Sequence, residues 1–153
     1  MIFSSASAYA LRALAALPDD QGYVMAKDLA EQLGLPGPYL AKVLQSLVQG
    51  GLLESVRGPK GGFRLARPTH KITVEEVVHL LDGEDAFKAC VMGFPECSNE
   101  QPCPMHDAWT AVKEQMAASM TKATIRDLQL VTLRRGFAVD PGVSGIKAPR
   151  PKM

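Results

Sequence analysis

No cysteine occurs before Cys90 or after Cys103 in this 153-residue chain, and only three are present. An extended disulfide framework is therefore excluded. The N-terminal Met1-Ile2-Phe3-Ser4-Ser5 has no basic region of the kind that opens a secretory signal, and no apolar run approaches the roughly 20 residues of a membrane span. A cytoplasmic protein is the expectation, and reducing surroundings disfavour disulfides there. Catalytic patterns are missing as well. There is no nucleophile with an arranged base and no dinucleotide fingerprint, and the glycines near residue 60 lack the G-x-x-x-x-G-K-[ST] order of a phosphate-binding loop. An enzyme is not expected. Net charge is also nearly absent, at +1, but this conceals an asymmetry. Residues 22 to 71 hold seven Lys/Arg (27, 42, 57, 60, 64, 67, 71) against three acids (28, 31, 54), whereas residues 73 to 107 hold eight acids and only Lys88. The first region suits a polyanionic partner and the second repels one.

What is present is concentrated in residues 90 to 106. Cys90, Cys97, Cys103 and His106 give a thiolate and imidazole donor set, which selects zinc, copper(I) or an iron-sulfur cluster over hard cations. Structural zinc sites rely on cysteine pairs separated by about two to four residues. Here the cysteines stand seven and six positions apart, and the Gly- and Pro-containing gaps suit a bulkier cluster. Small buried thiols, one disulfide with a spare thiol, and a redox switch remain as alternatives.

Along the chain, Ala6, Ala10, Leu14 and Leu17 recur at helical spacing and stop at Pro18. A short extended piece at residues 23 to 25 follows. Ala26, Leu29, Ala30 and Leu33 make a second helix ended by Gly34, and 35 to 38 form a turn. In the third helix Leu40, Val43, Leu44, Leu47 and Val48 form an apolar stripe opposite Tyr39, Lys42, Gln45, Ser46 and Gln49. Two short helices joined by a tight turn make a helix-turn-helix, whose polar face has the chemistry for phosphates and base edges. A solvated helix face is the plainer reading of that stripe alone. Residues 52 to 57 and 63 to 67 then alternate as two strands around Gly58-Pro59-Lys60-Gly61-Gly62, a hairpin with Arg57, Lys60, Arg64 and Arg67 along it. That hairpin completes a winged helix, in which Gly61 and Gly62 allow close backbone approach to DNA. Thr73 and Glu76 read as a capping box for a fourth helix. Beyond the cysteines, Trp109, Val112, Met116 and Met120 stripe a long helix expected to pair with a second copy, and Thr124 with Asp127 starts another. The expected organisation is a winged helix-turn-helix DNA-binding domain (1–83), a cluster-binding loop (84–103), a dimerisation helix with a short following helix (104–133) and a mobile tail (134–153). The fold class is mainly α with a small β-hairpin wing.

Tyr9-Ala10-Leu11-Arg12, Tyr39-Leu40, the wing 56–63 and the three cysteines together resemble the Rrf family of bacterial winged-helix regulators, over about residues 1 to 133. The resemblance implies a homodimer on double-stranded DNA with a pseudo-palindromic operator, contacted through Tyr39, Lys42, Gln45, Ser46, Arg57, Lys60, Gly61 and Arg64. It also implies an iron-sulfur cluster sensing iron-sulfur status, redox state or nitric oxide. Cys103-Pro104-Met105-His106-Asp107-Ala108-Trp109 is most similar to members in which three cysteines and a histidine hold a 2Fe-2S cluster. Members with 4Fe-4S clusters draw an acidic fourth ligand from the partner's first helix, where this chain has Ser7-Ala8-Tyr9. One departure is the six-residue gap between Cys90 and Cys97, longer than the family's usual. A cluster-free or zinc-stabilised repressor with a thiol switch is the alternative.

Overall fold

The computed structural model describes residues 3–19 and 22–135. Helix α1 (Ser5–Ala16) starts where Ser4 caps it, its side chain accepting the Ser7 N–H at 3.1 Å. Helix α2 (Ala26–Leu33) ends at Gly34, whose left-handed φ of 64° lets the backbone turn at once into the next segment. Helix α3 (Gly37–Gln49) begins earlier than its apolar stripe suggests, because Pro38 sits in the first turn, where a missing N–H costs nothing. Strands β1 (Leu53–Val56) and β2 (Gly62–Leu65) pair antiparallel with Leu53 opposite Leu65 and Val56 opposite Gly62. Val24 bridges antiparallel to this hairpin as a single residue, exchanging two backbone hydrogen bonds of 2.8 Å with Phe63. A 3-10 turn (Thr69–Lys71) leads to α4 (Val74–Asp82), followed by an irregular segment, α5 (His106–Lys122) and α6 (Ile125–Arg135).

The core follows from the stripes. Leu14 and Leu17 of α1 and its end, Leu29 of α2, and Leu40, Leu44 and Leu47 of α3 are fully buried together with Leu52, Ile72 and Val77. Ile125 joins the same cluster, so α6 folds back against α1 instead of extending away with α5. A polar network fixes that return. Asp19 accepts from the Thr69 N–H and hydroxyl at 3.0 Å each, and Gln129 lies 3.0 Å from the same hydroxyl while donating to the Leu17 carbonyl at 3.0 Å. Thr69 and Gln129 are both buried, where unpaired polar groups are costly.

Two caps differ in completeness. Thr124 and Asp127 exchange side-chain and backbone hydrogen bonds of 2.9 to 3.2 Å at the start of α6. Thr73 accepts the Glu76 N–H at 3.2 Å, but the Glu76 carboxylate pairs with Arg67, so only half of that capping box forms. Arg134 and Arg135 are helical, and the rest of the expected mobile tail, residues 136–153, lies outside the described residues. Among the described residues no helix is long and apolar enough to cross a membrane.

Candidate nucleic-acid interface and candidate metal centre

The polar face of α3 is open. Tyr39, Lys42, Gln45 and Gln49 are exposed; Ser46 is half-buried and its hydroxyl donates to the Lys42 carbonyl at 3.2 Å. Tyr39 is braced from below, because the Tyr9 ring of α1 meets it edge-on with centroids 5.4 Å apart. In the wing the three arginines and one lysine separate into two kinds. Arg64 is held 2.8 Å from Glu54 and stacks 4.7 Å from the Tyr23 ring, and Arg67 pairs with Glu76. The Glu54 hydrogen bond, with the Tyr23 and Glu54 charges behind it, raises the already high Arg64 pKa. These contacts shape the hairpin. Arg57 and Lys60 are exposed at its tip, unengaged among the described residues, and suit phosphate contact.

The wing glycines have an internal purpose that the sequence does not announce. A Cβ on Gly61 would sit 2.1 Å from the Val56 carbonyl oxygen, and one on Gly62 would sit 2.3 Å from the Val24 carbonyl oxygen. The backbones of the hairpin and the Val24 bridge close only over bare Cα atoms. Close backbone approach to DNA is the expectation from the sequence; the structure adds an internal close approach, in which Val24 opposite Phe63 is the partner and its short extended segment is the available signal.

The cysteine loop connects α4 to α5. Trp109 of α5 anchors it, donating its indole N–H to the Ala89 carbonyl at 3.0 Å. The four candidate ligands fall into two pairs. Cys90 and Cys103 have sulfurs 3.5 Å apart, and Cys97 Sγ lies 3.3 Å from His106 Nδ1. His106 starts α5, and its N–H reaches the Cys103 carbonyl at 3.0 Å. Among the described residues no three His, Cys, Asp or Glu side chains converge on one metal-sized point. The two pairs therefore do not form a closed tetrahedral cage around one ion.

Local groups prepare these donors. The backbone N–H of Met92, followed by lesser contributions from Cys103 and the N–H groups of Phe94 and Gly93, lowers the Cys90 pKa and favours its thiolate. Loss of hydration raises that of Cys103. His106 is buried, and its Nε2 lies 2.8 Å from Asn99 Oδ1. An amide oxygen there makes Nε2 the protonated nitrogen and leaves the Nδ1 lone pair facing Cys97, the arrangement a ligating imidazole needs. Asn99 was not among the residues singled out from the sequence, because a single exposed amide in a polar loop carries no periodic or spacing signal.

Of the α5 stripe, Val112 is exposed, Trp109 and Met116 are half-buried, and Met120 is buried within this chain.

A helix-turn-helix followed by a basic, internally braced hairpin defines a winged-helix DNA-binding regulator, and the paired thiols set it apart from the simplest of that class. The chain belongs to the Rrf2 family, described as iron-dependent transcriptional regulators, whose model matches residues 3–130. It is 37% identical over 143 residues to a protein of Aquifex aeolicus (strain VF5) inferred to be an HTH-type transcriptional regulator, covering 91% of this chain and 99% of that one. It is 30% identical over 130 residues to the HTH-type transcriptional regulator IscR of Klebsiella pneumoniae (strain 342), covering 84% and 79% of the two chains. Among solved structures, T. potens IscR superposes with a TM-score of 0.68 at 26% identity, over 88% of this chain and 90% of that one. The oxidized form of Staphylococcus aureus CymR does so with a TM-score of 0.67 at 26% identity, over 84% and 96%. The relatives are transcriptional regulators and not enzymes.

Proposed function

We propose that this protein is a cytoplasmic homodimer that binds pseudo-palindromic promoter DNA and is controlled by an iron-sulfur cluster, of the 2Fe-2S type, held by Cys90, Cys97, Cys103 and His106. The observation that carries the reading is the pairing of those side chains. Two thiolates on one tetrahedral metal stand about 3.8 Å apart, and a thiolate and an imidazole about 3.6 Å apart, given metal-ligand distances of about 2.3 and 2.05 Å. The pairs measure 3.5 and 3.3 Å. Two such pairs suit a two-iron core with two protein ligands per iron, and suit a single zinc ion less. The N–H groups aimed at Cys90 and the proton placement on His106 favour the ligating forms before any metal arrives. When bound, the cluster would supply a centre whose oxidation, nitrosylation or loss changes the ordering of residues 84–105.

Tyr39, Lys42, Gln45 and Ser46 would lie in a major groove with Arg57 and Lys60 on the flanking backbone, while Gly61 and Arg64 shape the wing that carries them. Trp109, Val112, Met116 and Met120 stripe the helix assigned to the dimer seam, with Trp109 also fastening the loop and Met120 filling the protomer's own core. Ligation would then bias the spacing of two reading heads, a two-state element driven by a local ordering event.

A second reading has one observation in its favour. The 3.5 Å approach of Cys90 and Cys103 would let an oxidant remove two electrons and two protons to form a disulfide without metal, and the chain resembles CymR, which has been solved in an oxidized form. Iron and acid-labile sulfide, measured after anaerobic purification together with duplex binding, separate the two. The cluster reading expects equimolar iron and sulfide that Cys97→Ser removes while the fold persists; full iron retention in that variant would sink the ligand set. For DNA, Lys60→Ala is expected to lower the slope of log affinity against log salt by about one, and an unchanged slope would take Lys60 out of the footprint.

A further inference from the structure

Two contacts fasten the start of α1 to the segment that leads into the cysteine loop. The Phe3 ring meets Phe87 edge-on, with centroids 6.2 Å apart and planes at 80°. Beside it, Ser4 donates its backbone N–H to Asp82 at 3.2 Å and its hydroxyl to the same carboxylate, at the last turn of α4. The Ser4 oxygen that makes this bond is also the N-cap acceptor for Ser7. The capping of α1 and its attachment to the stem of the loop thus depend on one side chain.

The next turn of the same helix meets the DNA-reading surface. Tyr9 stands in the second turn of α1, and its ring braces Tyr39 at 5.4 Å and 83°. Tyr39 stands at the start of α3, 40% exposed. No flexible chain intervenes between the two contacts. Helix α1 is packed against α3, α4 and α6, so close-packed surroundings let it move only as a body.

We infer that α1 is a strut within each protomer, in which Phe3 and Ser4 register the position of the loop stem at Phe87 and Asp82, and Tyr9 passes it to Tyr39. These are positioning residues, acting on the DNA interface through Tyr39. The inference rests on the reading of Tyr39 as part of the DNA-contacting face and of the loop as the sensor, and adds a route between them that does not require the partner subunit. A loop that shifts when its ligands are gathered or released would tilt α1 and re-aim Tyr39, changing affinity even if the dimer spacing stayed constant.

The first arm of the test needs neither DNA nor metal. The full chain has three tyrosines, Tyr9, Tyr23 and Tyr39, so uniform 3-fluorotyrosine labelling gives three ¹⁹F signals, assignable with single Tyr→Phe variants. Phe87→Ala is expected to shift the Tyr39 signal, whereas Glu114→Ala, at an exposed position of α5 outside the proposed seam stripe, leaves it in place. In a Tyr9→Leu background the response to Phe87→Ala should vanish. An unmoved Tyr39 signal, or a shift that persists without Tyr9, overturns the strut. If Phe87→Ala does not fold, Phe87→Leu keeps the apolar volume, loses the ring contact and is read in the same way. On a duplex selected from a random pool by the wild-type protein, the Phe87→Ala and Tyr9→Leu effects on affinity should depart from additivity by about five-fold, against about two-fold for independent sites; additivity within two-fold contradicts the link. Failure of the cluster reading would appear as absent iron with these spectra unchanged.

Discussion

The DNA-reading unit and the cysteine loop differ in what orders them. From α1 to α4 most large apolar side chains interlock, with Leu14, Leu40, Leu44 and Leu47 fully excluded from water. Between α4 and α5 only Cys90 is buried, and Val91, Met92 and Phe94 are 50 to 59% exposed. A hydrophobic core can fix the first region alone. The second has hydrogen bonds, one tryptophan anchor and four soft donors in place of an apolar core. The proposed sensor benefits from this division, since the segment proposed to respond to ligation has the fewest buried apolar contacts while the reading head is held by its core.

That comparison can be broken from several directions. The largest effect is expected from Leu44→Ala, which empties a fully buried position and should cost about 3 to 4 kcal/mol in chemical denaturation; a loss below 1 kcal/mol would mean the reading head is not held by this core. Gly61→Ala forces a Cβ against the Val56 carbonyl and should cost about 2 to 3 kcal/mol by the same measurement. It should also weaken DNA binding more than its exposed neighbour Lys60→Ala. Gln129→Leu removes the donor to the Leu17 carbonyl and the partner of Thr69, for an expected loss of about 1 to 2 kcal/mol, with faster hydrogen exchange in α6 as its local signature. The smallest effect belongs to Asp127. The Thr124 backbone N–H, and next its hydroxyl, hold this carboxyl below its usual 3.8. Because the folded pKa is the lower one, its stabilisation is present above about pH 4 and is lost as pH falls through the depressed value. Asp127→Asn should flatten the stability profile in that acid range only.

Much of the reading head was legible in the sequence because its elements are local. The three-and-four spacing of Leu40, Val43, Leu44 and Leu47 dictates one buried stripe, and Gly34 and the 58–62 run punctuate the chain where φ or close approach requires it. The polar faces were legible only as chemistry. Nothing local distinguishes Arg64 and Arg67, which are tied to Glu54 and Glu76, from Arg57 and Lys60, which are exposed. Contacts between distant segments were not legible: the return of Ile125 and Gln129 to α1, the Val24 bridge to Phe63, and the meeting of Phe3 with Phe87 each join residues that share no period. In the candidate metal centre the ligand types could be read from Cys90, Cys97, Cys103 and His106. Their division into two pairs, and the role of Asn99 in orienting His106, depend on a loop path that its glycines and prolines leave undetermined.

The most direct test of the central claim is non-denaturing mass spectrometry of protein purified without oxygen, since one spectrum reports both subunit number and the mass of any inorganic core. The account predicts a dimer carrying two cores of two irons and two sulfides. A dimer carrying only zinc, or no metal at all, would contradict it and leave residues 84–105 as a thiol switch on a winged-helix regulator.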